Sequence, residues 1–186
     1  MDLSSTEKLC AIHEIKLLKA RRDRAADTKD WVLYESLHAP DHHSYNDDYG
    51  ATTTAAEMMT TVKRSMENLI TLHHSHTPEI TFESPTQAGG VWAMEGLSIW
   101  KQGEEDHWFQ AFGHYFETYE KREGRWVFTS RRLKYYHTRR SPGAIFPPPL
   151  NDTTGCAAVE RAMASRRENA PEAGKLTMGG TKPWKA

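Results

Sequence analysis

Thr71-Leu72-His73-His74-Ser75-His76-Thr77-Pro78-Glu79-Ile80-Thr81-Phe82 is the stretch where the chain changes its period. Upstream, apolar residues recur every three or four positions, the spacing of a helix face; downstream they alternate, the spacing of a strand. Working back from it, a first helix starts at Ser4 to Thr6, carries Leu9, Ala11, Ile12, Ile15 and Leu18 on one stripe, and ends near Ala26. Asp27 or Thr28 caps a second helix holding Trp31, Tyr34 and Leu37, which Ala39-Pro40 stops before a polar segment, 41–49. Thr54 and Glu57 form a capping box for a third helix with Ala55, Met58, Met59, Val62, Met66 and Leu69 on its apolar face. Working forward, residues 70–83, 89–100, 107–121 and 125–137 read as four strands, separated by turns at Ser84-Pro85, Gln102-Gly103 and Glu123-Gly124. Helices first and an antiparallel meander after predict an α+β domain, with the helices on one face of a curved sheet.

The 186 residues suffice for one domain with a real core. With 24 Lys and Arg against 25 Asp and Glu, no charge excess favours nucleic acid or an anionic membrane, and a small neutral ligand fits better. No basic-then-apolar leader opens the sequence and no window has the length of a membrane span, so a cytoplasmic location is expected. Cys10 and Cys156 lack metal or redox spacing and read as free thiols. Beyond Arg139 lie six of the nine prolines, including Pro147-Pro148-Pro149. Residues 1–138 are therefore expected to form the domain and 139–186 a Pro/Gly-rich arm, anchored by Ile145, Phe146 and Leu150 across the mouth of the domain or a neighbouring subunit.

Five groups of residues resemble the SnoaL-like branch of the nuclear transport factor 2-like superfamily. They are Ala26-Asp27-Thr28-Lys29-Asp30-Trp31; Ala39-Pro40; His73 with His76 to Ile80; Gly90 to Glu95; and Tyr119 with Gly124-Arg125-Trp126. The resemblance covers about residues 8–138 and implies a cone-shaped α+β barrel of three helices on a curved, mainly antiparallel sheet. Within the branch, the first group is similar to scytalone dehydratase and the region from His73 to Glu95 to bile acid 7α-dehydratase. In those lyases the matching Asp and His are catalytic, which implies Asp27 and His73 here, with Tyr45 as the nearest equivalent of a substrate-contacting tyrosine. Arg22 stands where bile acid dehydratase has a tyrosine, Gly96 where it has an acid, and Tyr135 where it has an arginine. The resemblance also implies Trp92, Met94, Ser98, Gly113 and Tyr115 as cavity-lining residues, with His114 on the opposite face. It implies a homo-oligomer, trimer favoured over dimer.

Read without the resemblance, Asp27 is an N-cap and the aromatics are core. A carboxylate has two oxygens and can serve a backbone N–H and an imidazole together. On a strand, His74 and His76 share a face that His73 does not. The pair followed by Glu79, with His42-His43 nearby, has a metal-like spacing, yet the glycines and later histidine of a cupin box are missing. No metal and no cofactor is expected, and His74 and His76 read as structural or rim residues. The implied activity is a dehydratase acting on a hydrophobic polycyclic or aromatic metabolite. An isomerase or cyclase, a non-catalytic binding module and an oxygenase small subunit are the rivals on this scaffold.

Overall fold

The computed structural model describes residues 3–46 and 50–146. Helix α1 (Ser5–Asp27) opens on a reciprocal capping box: Glu7 N–H donates to Ser4 Oγ, and the Ser4 N–H to Glu7 Oε2 at 2.8 Å. Its buried stripe runs Ala11, Ile15, Leu18, Lys19, Arg22, Asp23, Ala25 and Ala26, so the face turned to the sheet changes halfway from apolar to charged. Leu9, expected on that stripe, is 68% exposed. Helix α2 (Trp31–Ser36) is capped by Asp30, whose Oδ1 accepts the Leu33 N–H; Asp27 is the last residue of α1 instead. Helix α3 (Ala55–Met66) is capped by Thr54 as expected, but the Glu57 carboxylate turns back to Thr53.

The sheet has six strands in the order β2-β1-β6-β5-β4-β3. The meander is β3 (Ile70–Ser84), β4 (Gln87–Gln102), β5 (Glu105–Arg122) and β6 (Arg125–Arg140), with the turns where the sequence puts them. The polar segment after Pro40 is not a loop. Its residues 41–46 lie in β1 (His38–Asn46), which pairs parallel to β6 and antiparallel to the short β2 (Gly50–Thr52), and 47–49 are outside the described residues. Pro40 has no N–H to give a ladder, and it falls where the β1–β6 register shifts, between His38 and His43. That is why a residue read as a helix stop sits inside a strand.

The inner sheet face packs on α1 through Ile15, Leu18, Trp92, Met94, Tyr115, Tyr119, Trp126, Phe128 and Leu133. A second cluster joins the end of α1 to α2 and α3 through Ala25, Ala26, Tyr34, Met58 and Met59. Beyond β6, Phe146 stacks on Phe109 with ring centroids 3.9 Å apart, and Ile145 is 54% exposed. Leu150 and Cys156 lie outside the described residues; Cys10 is exposed on α1. Among the described residues no helix is long and apolar enough to cross a membrane.

The β5–β6 register shifts between Phe112 and Gly113, and a Cβ on Gly113 would fall 2.1 Å from the Lys134 carbonyl oxygen. Only glycine permits that approach, and a bulge of this kind bends the strand. Gly113→Ala is therefore expected to destabilise the fold by about 1–3 kcal/mol, the usual cost of forced overpacking. Gly96→Ala serves as the comparison, because its added Cβ meets only Met94 Cε, at 3.5 Å. Urea midpoints for the two variants check this; equal midpoints would remove the bulge argument.

Candidate active site

Helix α1 runs antiparallel to β3, and two spacings nearly coincide. Four helical residues rise about 6.0 Å and two strand residues about 6.7 Å. Asp23 therefore meets Ser75, whose Oγ donates to Asp23 Oδ2 at 2.6 Å, and Asp27 meets His73. Asp27 Oδ1 lies 2.6 Å from His73 Nδ1 and accepts from Thr71 Oγ at 3.0 Å; Oδ2 accepts the His73 backbone N–H at 2.9 Å. An ionised carboxylate only accepts, so the proton of the bond to the ring sits on Nδ1 and Nε2 carries the lone pair. The two side chains are 17% and 21% exposed, so the pair is partly open rather than sealed in the core. Burial pushes His73 below the ordinary histidine value, while the bond to Asp27 opposes that shift. Lys29, held at φ 61°, closes the junction by donating from Nζ to the Ala26 carbonyl and to Thr71 Oγ.

The register puts Thr71, His73 and Ser75 on the face shared by Trp92, Met94, Gly96, Ser98, Phe109, Ala111, Gly113 and Tyr115. His114 lies on the other face, against Phe116 and Tyr136. Gly96 is the cross-strand partner of His73, and its missing side chain leaves room beside the imidazole. Ser98 and Tyr135 are half-buried on this face, Tyr135 edge-on to Phe109.

The remaining candidates are engaged by the chain itself. Trp92 donates to Tyr119 Oη at 2.8 Å, and Tyr119 donates in turn to Glu117 at 2.6 Å. Lys19 Nζ donates to Glu117 at 2.6 Å and sits 3.8 Å over the Tyr115 ring, with the Arg131 guanidinium 4.3 Å from that ring. Arg22 donates to Asp23 at 3.0 Å and to Tyr34 Oη at 2.6 Å. Trp92, Met94, Tyr115 and Arg22 are all buried at 5% exposure or less, so they support the site from within the core. Burial works to raise the Asp23 carboxyl, and Lys19 and Arg22 outweigh it and hold it down at about 2. Sequence reasoning missed Lys19, Asp23 and Glu117. The signal was there in an unbroken helical spacing, 11-15-18-19-22-23-26, that charged residues share with apolar ones.

Tyr45 is not at the dyad. It pairs with the exposed Arg132, whose guanidinium lies 5.6 Å from its ring, on the outer face; Ser44 is the residue that pairs with inward Arg131. Strand alternation makes the one-residue offset decisive.

His42 is fully buried, with Nδ1 3.3 Å from the Phe128 carbonyl oxygen, and therefore separate from the exposed His74 and His76. Burial pushes His42 down to about 4 and His38 well below the ordinary 6.5. The unfolded chain takes up these protons first, so stability is complete above about pH 6.5 and falls as pH drops toward 4. For His42 this corresponds to about 3 kcal/mol. Urea unfolding of His42→Asn, a variant without that proton, should show a shallower loss between pH 6.5 and 4. An unchanged slope would rule out His42 as its source.

Comparison with solved structures finds the same fold. A type 2 hexachlorocyclohexane dehydrochlorinase (LinA) matches with a TM-score of 0.68 at 18% identity, over 78% of this chain and 99% of its own. A candidate scytalone dehydratase from Novosphingobium aromaticivorans matches at 0.67 and 19% identity, over 81% and 98%. A type 3 LinA from Novosphingobium barchaimii matches at 0.65 and 18%, over 78% and 100%. At such identities the likeness is one of fold. The sequence itself matches the model of the SnoaL-like domain over residues 7–132, so the chain belongs to the SnoaL-like family of the nuclear transport factor 2-like superfamily.

Proposed function

We propose that this protein is a cofactor-independent lyase, a dehydratase of a hydrophobic polycyclic or aromatic metabolite that carries a carbonyl group. The observation that carries the reading is the 2.6 Å contact between Asp27 Oδ1 and His73 Nδ1, with Nε2 left as the base. His73 Nε2 takes the proton from the carbon next to the carbonyl, and Asp27 holds the tautomer and stabilises the imidazolium. The electron pair then forms the new C=C bond as the β C–O bond breaks. The imidazolium returns its proton to the departing hydroxyl, which leaves as water. With Tyr45 on the outer face, one histidine does both transfers. Gly96, Ser98 and Tyr135 leave and line the space beside it.

The dehydrochlorinase and dehydratase among the structural neighbours are eliminations on the same scaffold and support this reaction class. The test is a mass-resolved screen of secondary alcohols carrying a β carbonyl, with wild type and His73→Ala side by side. Loss of one water with wild type alone is the expected result. Loss of water at equal rates with both proteins would reject the reading.

A further inference from the structure

We propose that His74, His76 and Glu95 form a binding site for a divalent first-row metal ion of the Zn2+ type, on the outer face of the sheet and separate from the Asp27–His73 pair. Their ligand atoms, one from each residue, all lie within 4.8 Å of one another. The strand builds this directly. A His-x-His pair puts two imidazoles on one face about 6.7 Å apart along the backbone, and here the ring centroids are 6.0 Å apart. Glu95 on β4 is the cross-strand partner of His74 and completes a set of two nitrogens and one oxygen. That set suits Zn2+ and its borderline neighbours better than Mg2+ or Ca2+.

The carboxylate is also oriented from behind. Gln110 Nε2 donates to Glu95 Oε1 at 2.7 Å, and Arg139 Nε fixes that amide by donating to Gln110 Oε1, also at 2.7 Å. Glu95 Oε2 is thus left to turn toward the ion, in the supported-ligand arrangement that metal sites use. Glu79, the carboxylate suggested by sequence spacing, is not part of the cluster: after the irregularity at Thr77 and Pro78 it pairs with Val91, four residues before Glu95 on β4. Both imidazoles are exposed, so a metal held by these three ligands keeps a position open to water or to a further donor.

The site stands independently of the proposed lyase activity. The test is calorimetric titration of the full chain, free of any polyhistidine tag and pre-treated with chelator, with zinc chloride. Melting temperature with and without zinc is the second readout. Saturable binding with a rise in melting temperature is expected for wild type and for Asp27→Asn. His74→Ala combined with His76→Ala should abolish both, Glu95→Gln should weaken binding at least about tenfold, and Gln110→Ala by roughly 10- to 100-fold. No saturable binding to wild type would overturn the proposal. So would wild-type binding by the double histidine variant, or by Glu95→Gln.

Discussion

His73→Ala is expected to lower turnover by about 100- to 10,000-fold, the range for a positioned acid–base group. Asp27 accepts three hydrogen bonds, one from the imidazole Nδ1, one from the His73 backbone N–H and one from Thr71 Oγ, so the carboxylate that orients the ring is itself held in place. Asp27→Asn should be comparably severe: an amide can donate to Nδ1, which moves the ring proton to Nε2 and removes the lone pair. The double variant should lose little beyond the worse single one, because the two side chains act as one unit. Steady-state turnover for the three proteins, once the screen supplies a substrate, checks all three statements. Near-wild-type turnover in His73→Ala would end the mechanism, and multiplicative losses would mean that the residues act separately.

Lys19→Met is expected to destabilise the protein by about 3–5 kcal/mol, the cost of leaving one partner of a buried ion pair behind. Lys19 and Glu117 have side chains 1% and 0% exposed and meet at 2.6 Å. Burial pushes the Lys19 amine below its ordinary value, and Asp23 and Glu117 resist that. Without the ammonium, Glu117 keeps, among the described residues, the Tyr119 hydroxyl as its close donor, since Arg131 Nε stands 3.9 Å away. Combining Lys19→Met with Glu117→Gln removes the stranded charge and should recover a large part of the loss. Urea unfolding of the two single variants and the pair gives the coupling directly; simple additivity would mean that the pair is not what makes Lys19 important.

What the sequence made legible followed from period and turn chemistry. Alternation from Ile70 onward gave the four long strands, and the Gly103 and Gly124 turns fixed their ends. Alternation likewise separated His73 from His74 and His76. Pairing between distant segments was not legible. Nothing in residues 38–46 says that they lie parallel to β6, and Pro40 argued locally for a stop. The same gap displaced Tyr45, because a strand's facing depends on a register set by its neighbour. The charged half of α1 was hidden for another reason. Lys19, Arg22 and Asp23 resemble a solvated face unless the Glu117, Tyr34 and Ser75 that satisfy them are known to be opposite.

The near-equality of four helical steps and two strand steps makes α1 and β3 a vernier with two aligned marks. At one mark an acid faces histidine, and at the other an acid faces serine. The two marks are not equivalent: Asp23 is buried and already neutralised by Lys19 and Arg22, so the partly exposed Asp27 is the one left to serve a base. The base can then be given or withheld from the strand alone, by the choice of residue at 73, while the helix, its caps and the core it covers stay untouched. A one-residue insertion between Asp23 and Asp27 would do the opposite. It would turn the second acid by about 100° and detach the pair without altering a single functional side chain.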